Sequence, residues 1–291
     1  MCDNDSMDDM LQYSQSRGTL SRRQFGSLAL GAGFVSLLPP VANAVEVTDG
    51  EVEITTPDGT CDAYFVHPAA GKSPAVLIWP DIFGLRPAFR QMGKRLAESG
   101  YAVLVVNPFY RKQKAPTAPE HPDFQDPDTR AKLMALAGTL TPETNVTDAK
   151  AFFAWLDKQK VVNTKRKAAT TGYCMSGSLV LRTAAALPDR IGAAGTFHGG
   201  GLVTDKPESP HLLIPKMKAH FLIAIAKNDD EKQPEAKDVL REAFTNAHLP
   251  AEIEVYPAQH GWCPPDSQVY DQEQAEKAWS RMLALFKTAL G

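Results

Sequence analysis

The sequence has no surplus of basic residues. Its 31 Lys and Arg stand against 34 Asp and Glu, a formal net charge of −3 over 291 residues. They are scattered rather than clustered, which argues against nucleic acid as a partner. Nor is there an apolar run long enough for a bilayer: Gly26–Leu38 is about 13 residues, where roughly 20 are needed. No stable membrane insertion is expected. The histidines show no ligand spacing, so no metal site is expected. Gly199-Gly200-Gly201 lacks the Lys-Ser/Thr and the helix start of a phosphate loop, and no cofactor is expected either. There is no internal repeat and no low-complexity tract. Cysteine is scarce, with four in the whole chain.

What is present begins with an address. Ser21-Arg22-Arg23-Gln24-Phe25, the mildly apolar Gly26–Leu38 and Ala42-Asn43-Ala44 read in order as a twin-arginine motif, a short apolar core and a small-x-small cleavage pattern. Residues 1–44 are therefore expected to be a signal peptide and 45–291 the folded domain. Such a signal implies the Tat export machinery as a partner and a periplasmic or secreted protein. Removing it takes away Cys2 and leaves three cysteines, so at least one thiol is free or pairs between chains in an oxidising compartment. Cys174 is the candidate for the free one. Cys61 and Cys263 either pair or are buried as small apolar residues.

The remainder reads as one α/β domain. Val52–Thr55 and Ala63–Val66 flank the turn Pro57-Asp58-Gly59 and predict a hairpin. Ala75–Trp79 and Ala102–Val106 are continuous apolar runs, the mark of strands buried on both faces. Between them a helix from Pro87 to Gly100 presents Phe89, Met92, Leu96 and Ala97 on one side. From Asn107 to Thr144 the chain turns Pro-rich and charged, an excursion over the sheet rather than a regular unit. Thr147 is expected to cap a helix to Gln159 with Ala151, Phe152, Trp155 and Leu156 inward. Strands at Ala193–Phe197, Phe221–Ala226 and Glu252–Tyr256 alternate with helices at Ser178–Leu187, Pro234–Ala247 and Gln272–Leu290. The last helix should bury Ala275, Trp279, Met282, Leu283 and Phe286. This alternation predicts a mostly parallel sheet covered on both faces.

The chemistry centres on Gly172-Tyr173-Cys174-Met175-Ser176-Gly177, which follows the β-prone Ala168–Thr171 and opens a helix. A strand, a tight turn and a helix form a nucleophile elbow, here with a thiol at its apex. The elbow needs small residues two places either side of the nucleophile. Gly172 satisfies this fully and Ser176 less well. In the α/β-hydrolase order an acid and then a histidine follow at the ends of later strands. Phe221–Ala226 is followed by Lys227-Asn228-Asp229-Asp230, and the strand ending at Tyr256 by Pro257-Ala258-Gln259-His260-Gly261-Trp262.

These residues resemble the dienelactone hydrolases, cysteine enzymes of the α/β-hydrolase fold. The resemblance runs from about Val52 to Leu290. It takes in Pro80-Asp81-Ile82-Phe83-Gly84, Asn107-Pro108-Phe109-Tyr110, the elbow, the triple glycine and the His260 loop. It implies a Cys–His–Asp triad acting on small-molecule esters or lactones through a thioester. Cys174 would be the nucleophile, His260 the general base and Asp229 the residue that orients it, with Asp230 as the alternative acid. Met175 and Ile82 would supply oxyanion-hole N–H groups. Asp81 stands where the best-known members carry a Glu that supports the resting thiol. Arg130 corresponds to one of two arginines that bind a substrate carboxylate. The second is missing, its place taken by Gly261-Trp262-Cys263. His198 replaces a frequent Tyr, and Trp262 and Phe83 either wall a pocket or fill the core. Thioester hydrolysis or acyl transfer at the same triad, and a non-catalytic ligand-binding member of the fold, are the alternatives.

Overall fold

The structure, a computed structural model, describes residues 38–119, 124 and 126–291. The twin-arginine motif and Cys2 lie outside the described residues, as does the apolar run apart from Leu38. Eight strands form one sheet: β1 (Val47–Thr56), β2 (Gly59–Pro68), β3 (Ala75–Trp79), β4 (Ala102–Val106), β5 (Ala168–Tyr173), β6 (Ile191–Phe197), β7 (His220–Ala226) and β8 (Ala251–Tyr256). Their order is β1-β2-β4-β3-β5-β6-β7-β8. The hairpin β1–β2 and the pair β2–β4 are antiparallel, and all other pairs are parallel. This is the α/β-hydrolase fold.

Strand pleating sorts the apolar runs between two layers. Ala75, Leu77, Trp79, Leu104 and Val106 join one core cluster, and Val76, Ile78, Val103 and Val105 the other. Helix α1 (Pro87–Glu98) covers the second, burying the four residues expected of it. Pro87 opens it, where a missing N–H costs nothing.

The excursion after β4 is rooted by side chains. Asn107 donates to Asp62 (2.9 Å) and to the Gln113 carbonyl (2.8 Å) and accepts from the Phe109 N–H. Arg111 bridges Asp58 in the hairpin turn and the fully buried Asp148. The excursion then forms α2 (Pro127–Ala137), capped by Asp126.

Helix α3 (Pro142–Leu156) starts earlier than the expected Thr147. Thr141 and Thr144 form a reciprocal capping box, and Pro142 takes the first turn, a start signal that a search for apolar periodicity overlooks. The inward face accordingly holds Asn145, Asp148, Ala149, Phe152, Phe153 and Leu156, with Ala151 and Trp155 at its margin.

Helices α4 (Gly177–Ala186), α5 (Lys227–Lys232), α6 (Ala236–Asn246) and α7 (Gln272–Ala289) complete the domain. α3, α4 and α6 pack on one face of the sheet, α1 and α7 on the other. α7 buries Ala275, Ala278, Met282 and Phe286, leaving Trp279 and Leu283 half-exposed. Cys61 and Cys263 are both buried free thiols, not a bridge. No helix among the described residues is long and apolar enough to cross a membrane.

Candidate active site

β5 delivers Cys174 to a one-turn 3-10 segment, Cys174–Ser176, from which α4 continues. Cys174 has φ +56°, a left-handed conformation that costs a non-glycine residue about 1–3 kcal/mol and persists only where surroundings enforce it. The close approach behind it requires Gly172. A Cβ there would lie 2.6 Å from the Ser176 carbonyl oxygen and 2.7 Å from Val180 Cγ2. Ser176 is fully buried and its hydroxyl donates to the Pro80 carbonyl. The residue that looked like a poorer elbow glycine thus ties the elbow to the loop after β3.

β8 ends at Tyr256, and the following loop carries His260, only 2% exposed. Its backbone N–H donates to Asn228 Oδ1 (2.8 Å), and its Nδ1 donates to Asp229 Oδ2 (2.7 Å). Asp229 sits in the first turn of α5, directly after β7. Asp230 turns away to pair with Lys237 (2.6 Å). Burial by itself would lower the His260 pKa. The Asp229 carboxylate and the Cys174 sulfur, through charge and hydrogen bonding, outweigh it and hold the imidazole well above its ordinary value. His260 Nε2 has no hydrogen-bond partner among the described residues, and the Cys174 sulfur is near enough to raise the basicity of the ring. A cleft of about 100 Å³ runs beside the Asp229–His260 pair, lined in part by Gly199, Gly200 and Gly201.

Other expected residues divide into four groups. His198 and Trp262 lie within the site's wall. Both are fully buried, with ring centroids 5.1 Å apart, and His198 is 5.0 Å from His260. Trp262 also stacks on Tyr256. Ile82 and Met175 join Cys174, Phe109, Phe124, Leu133 and Leu136 in one apolar cluster, with Phe83 at its margin. Arg130 is half-buried in the first turn of α2, 6.0 Å from the Phe124 ring.

Asp81 is buried, and both its oxygens meet Arg86 (2.6 and 3.0 Å) while Oδ1 also accepts the Phe83 N–H. Burial raises its pKa, with Arg86 opposing. Arg86 reaches on to Asp266 (2.6 and 3.0 Å) beyond His260. Sequence reasoning missed Arg86, Asp266 and Asn228. Asn228 adjoins Asp229 and was findable on that ground; the Arg86–Asp266 link spans 180 residues and had no local signal. Among the described residues no group of three or more His, Cys, Asp or Glu is placed to hold a metal ion.

Residues 61–290 match the description of the dienelactone hydrolase family. The chain belongs to that family. As a dienelactone hydrolase family member it is a hydrolase acting on ester bonds. It is 28% identical over 243 residues to carboxymethylenebutenolidase 1 of Cupriavidus pinatubonensis, an alignment covering 82% of this chain and 96% of that protein. Among solved structures, a dienelactone hydrolase-like promiscuous phosphotriesterase from metagenomic libraries superposes with TM-score 0.69 at 21% identity, covering 84% of this chain and 99% of that one. A dienelactone hydrolase of Anabaena variabilis superposes with TM-score 0.58 at 14% identity, over 84% of this chain and 99% of the other. At such identities the two structures attest the fold. Within it, this family member surrounds its thiol with aliphatic and aromatic side chains, and its His260 is followed by glycine, a buried Trp262 and a buried Cys263.

Proposed function

We propose that the protein hydrolyses carboxylic esters or lactones through a Cys174–His260–Asp229 triad and a thioester intermediate. The observation that carries this reading is the convergence of the three residues at the ends of β5, β7 and β8, with Asp229 on His260 Nδ1 and the Cys174 sulfur among the influences that raise the basicity of the ring. The raised basicity of His260 favours a thiolate–imidazolium pair at rest. The thiolate attacks the carbonyl carbon, and the oxyanion is received by the N–H groups of Ile82 and Met175. The C–O bond breaks as His260 protonates the departing alkoxide, leaving an S-acyl enzyme. His260 then takes a proton from water, the hydroxide attacks the thioester, and the acid leaves as the thiolate re-forms.

The apolar lining suits aliphatic or aromatic acyl groups better than a dianionic one. Asp81 acts with Arg86 on the loop bearing Ile82, Arg130 flanks the mouth beside Phe124, and Trp262 buttresses the histidine loop. The decisive experiment is Cys174→Ala against short acyl nitrophenyl esters. Turnover should fall by at least about a thousandfold, and unchanged turnover refutes the triad.

Export by the Tat route remains part of the proposal. Ala42, Asn43 and Ala44 are exposed, as is Val45 at 43%, so a peptidase meets an accessible bond. Intact mass of the exported protein should correspond to a start near Val45; a mature form retaining Met1 refutes it.

A further inference from the structure

Two neighbouring strands end in the same unusual way. β5 runs into Cys174 at φ +56°, and β6 runs into His198 at φ +41°. The His198 backbone N–H donates to the Ala224 carbonyl of β7 (2.8 Å), so the bend comes while the chain is still paired to the sheet. The bend turns the His198 ring back toward the elbow, where its Nδ1 accepts the Cys174 backbone N–H at 3.1 Å. Two residues further on, the Gly200 N–H donates to the Cys174 carbonyl (2.9 Å). Both backbone polar groups of Cys174 are thus held by residues 198–200. The backbones meet closely behind them: a Cβ on Gly177 would lie 2.6 Å from Gly199 Cα.

We propose that His198 is a positioning residue for the nucleophile, fixing the Cys174 amide through Nδ1 and thereby aiming the sulfur at His260. Three features fit this role better than core filling. An Nδ1 that accepts an N–H carries no proton itself, which fixes the tautomer with hydrogen on Nε2. Burial, reinforced by the charge of His260, lowers the His198 pKa well below its ordinary value, so the acceptor persists beside a second imidazole 5.0 Å away. A filler also needs no polar atom, whereas here a buried Nε2 has no hydrogen-bond partner among the described residues. Leaving a polar atom unpaired is unfavourable unless the ring's other nitrogen is needed.

The inference rests on Cys174 being the nucleophile, and its test separates the two. His198→Asn keeps an acceptor near the Nδ1 position, whereas His198→Gln moves the amide out toward the Nε2 position and His198→Leu removes it. With a nitrophenyl ester, His198→Asn should stay within about threefold of the parent kcat. The Gln and Leu variants should lose about tenfold in kcat with KM unchanged, the scale of one lost hydrogen bond at a buried amide. Iodoacetamide labelling of Cys174, followed by mass, should slow in the same order without any ester present. A His198→Asn variant that is as impaired as His198→Gln, or that fails to fold, overturns the proposal. So does a Gln variant with parental kcat. Cys174→Ala with full activity overturns the triad instead, whatever the His198 series does.

Discussion

Replacing Arg86 by Met strips a buried carboxylate of its partner without opening a large void. Asp81 and Arg86 side chains are 7% and 11% exposed, so their pairing is little screened by solvent. Breaking a buried pair from one side costs about 3–5 kcal/mol, because a charge is left in low dielectric. The link to Asp266, whose side chain is 40% exposed, contributes at most about 1 kcal/mol. For a domain of this size the melting temperature should fall by roughly 10 °C. The loss should depend on pH with a definite sign. Burial holds Asp81 above its ordinary 3.8 even with Arg86 opposing, and removing Arg86 removes that opposition. Above about pH 4 the folded variant then binds a proton that the unfolded chain has released, so stability falls as pH rises through this window. The variant's deficit in differential scanning calorimetry should accordingly be smaller at pH 5 than at pH 8. Asp81→Asn in the same background should recover most of it. A variant that melts within about 2 °C of the parent, or whose deficit persists unchanged in the Asp81→Asn background, refutes the reasoning.

Further expectations follow from the same contacts. Asp229→Asn should lower the His260 pKa, since that carboxylate is the largest influence raising it. Thiol alkylation near pH 6 and kcat should then drop by about tenfold or more, whereas Asp230→Asn, which loses only the Lys237 pair, should stay within about twofold. Gly172→Ala should destabilise by about 1–3 kcal/mol or misfold the elbow, because its Cβ meets the Ser176 backbone, which cannot move aside, as well as the Val180 side chain; urea denaturation checks it. Ser176→Ala loses the bond to Pro80 and leaves a buried carbonyl without it, at about 1 kcal/mol or more, read in the same way.

The sequence displayed what repeats and what is contiguous. Ala75–Trp79 and Ala102–Val106 declare buried strands because burial on both faces leaves no polar alternation to confuse the reading. The elbow, Asp229 and His260 were legible because the fold fixes their order along the chain. The family resemblance favours Asp229 over Asp230, but the residue types alone do not separate the two. Which of the two faces His260 depends on the short helix α5, whose first turn aims one inward and the next toward Lys237. The start of α3 was misjudged because a capping box and a proline carry that boundary, not hydrophobic spacing. Arg86, and the bond that the candidate His198 makes, were hardest. Each matters for what it reaches across the sheet's end, and nothing in the neighbouring sequence records a partner 180 or 24 residues away.

The excursion between β4 and α3 has a consequence for how this scaffold can change. Its first residues are pinned to the domain by Asn107 to Asp62 and by Arg111 to Asp58 and Asp148, and its last by the Thr141–Thr144 capping box that opens α3. Phe109, Phe124, Leu133 and Leu136, spread along it, share one apolar cluster with Cys174. The hydrogen bonds that join Cys174 to His198 and Asp229 to His260 are made by residues outside that segment. The segment is therefore exchangeable in a way the rest is not. Grafting a different loop between the same two anchor points should change which acyl groups are accepted while leaving the reactive core as it is, so that selectivity and reactivity are inherited on separate stretches of chain.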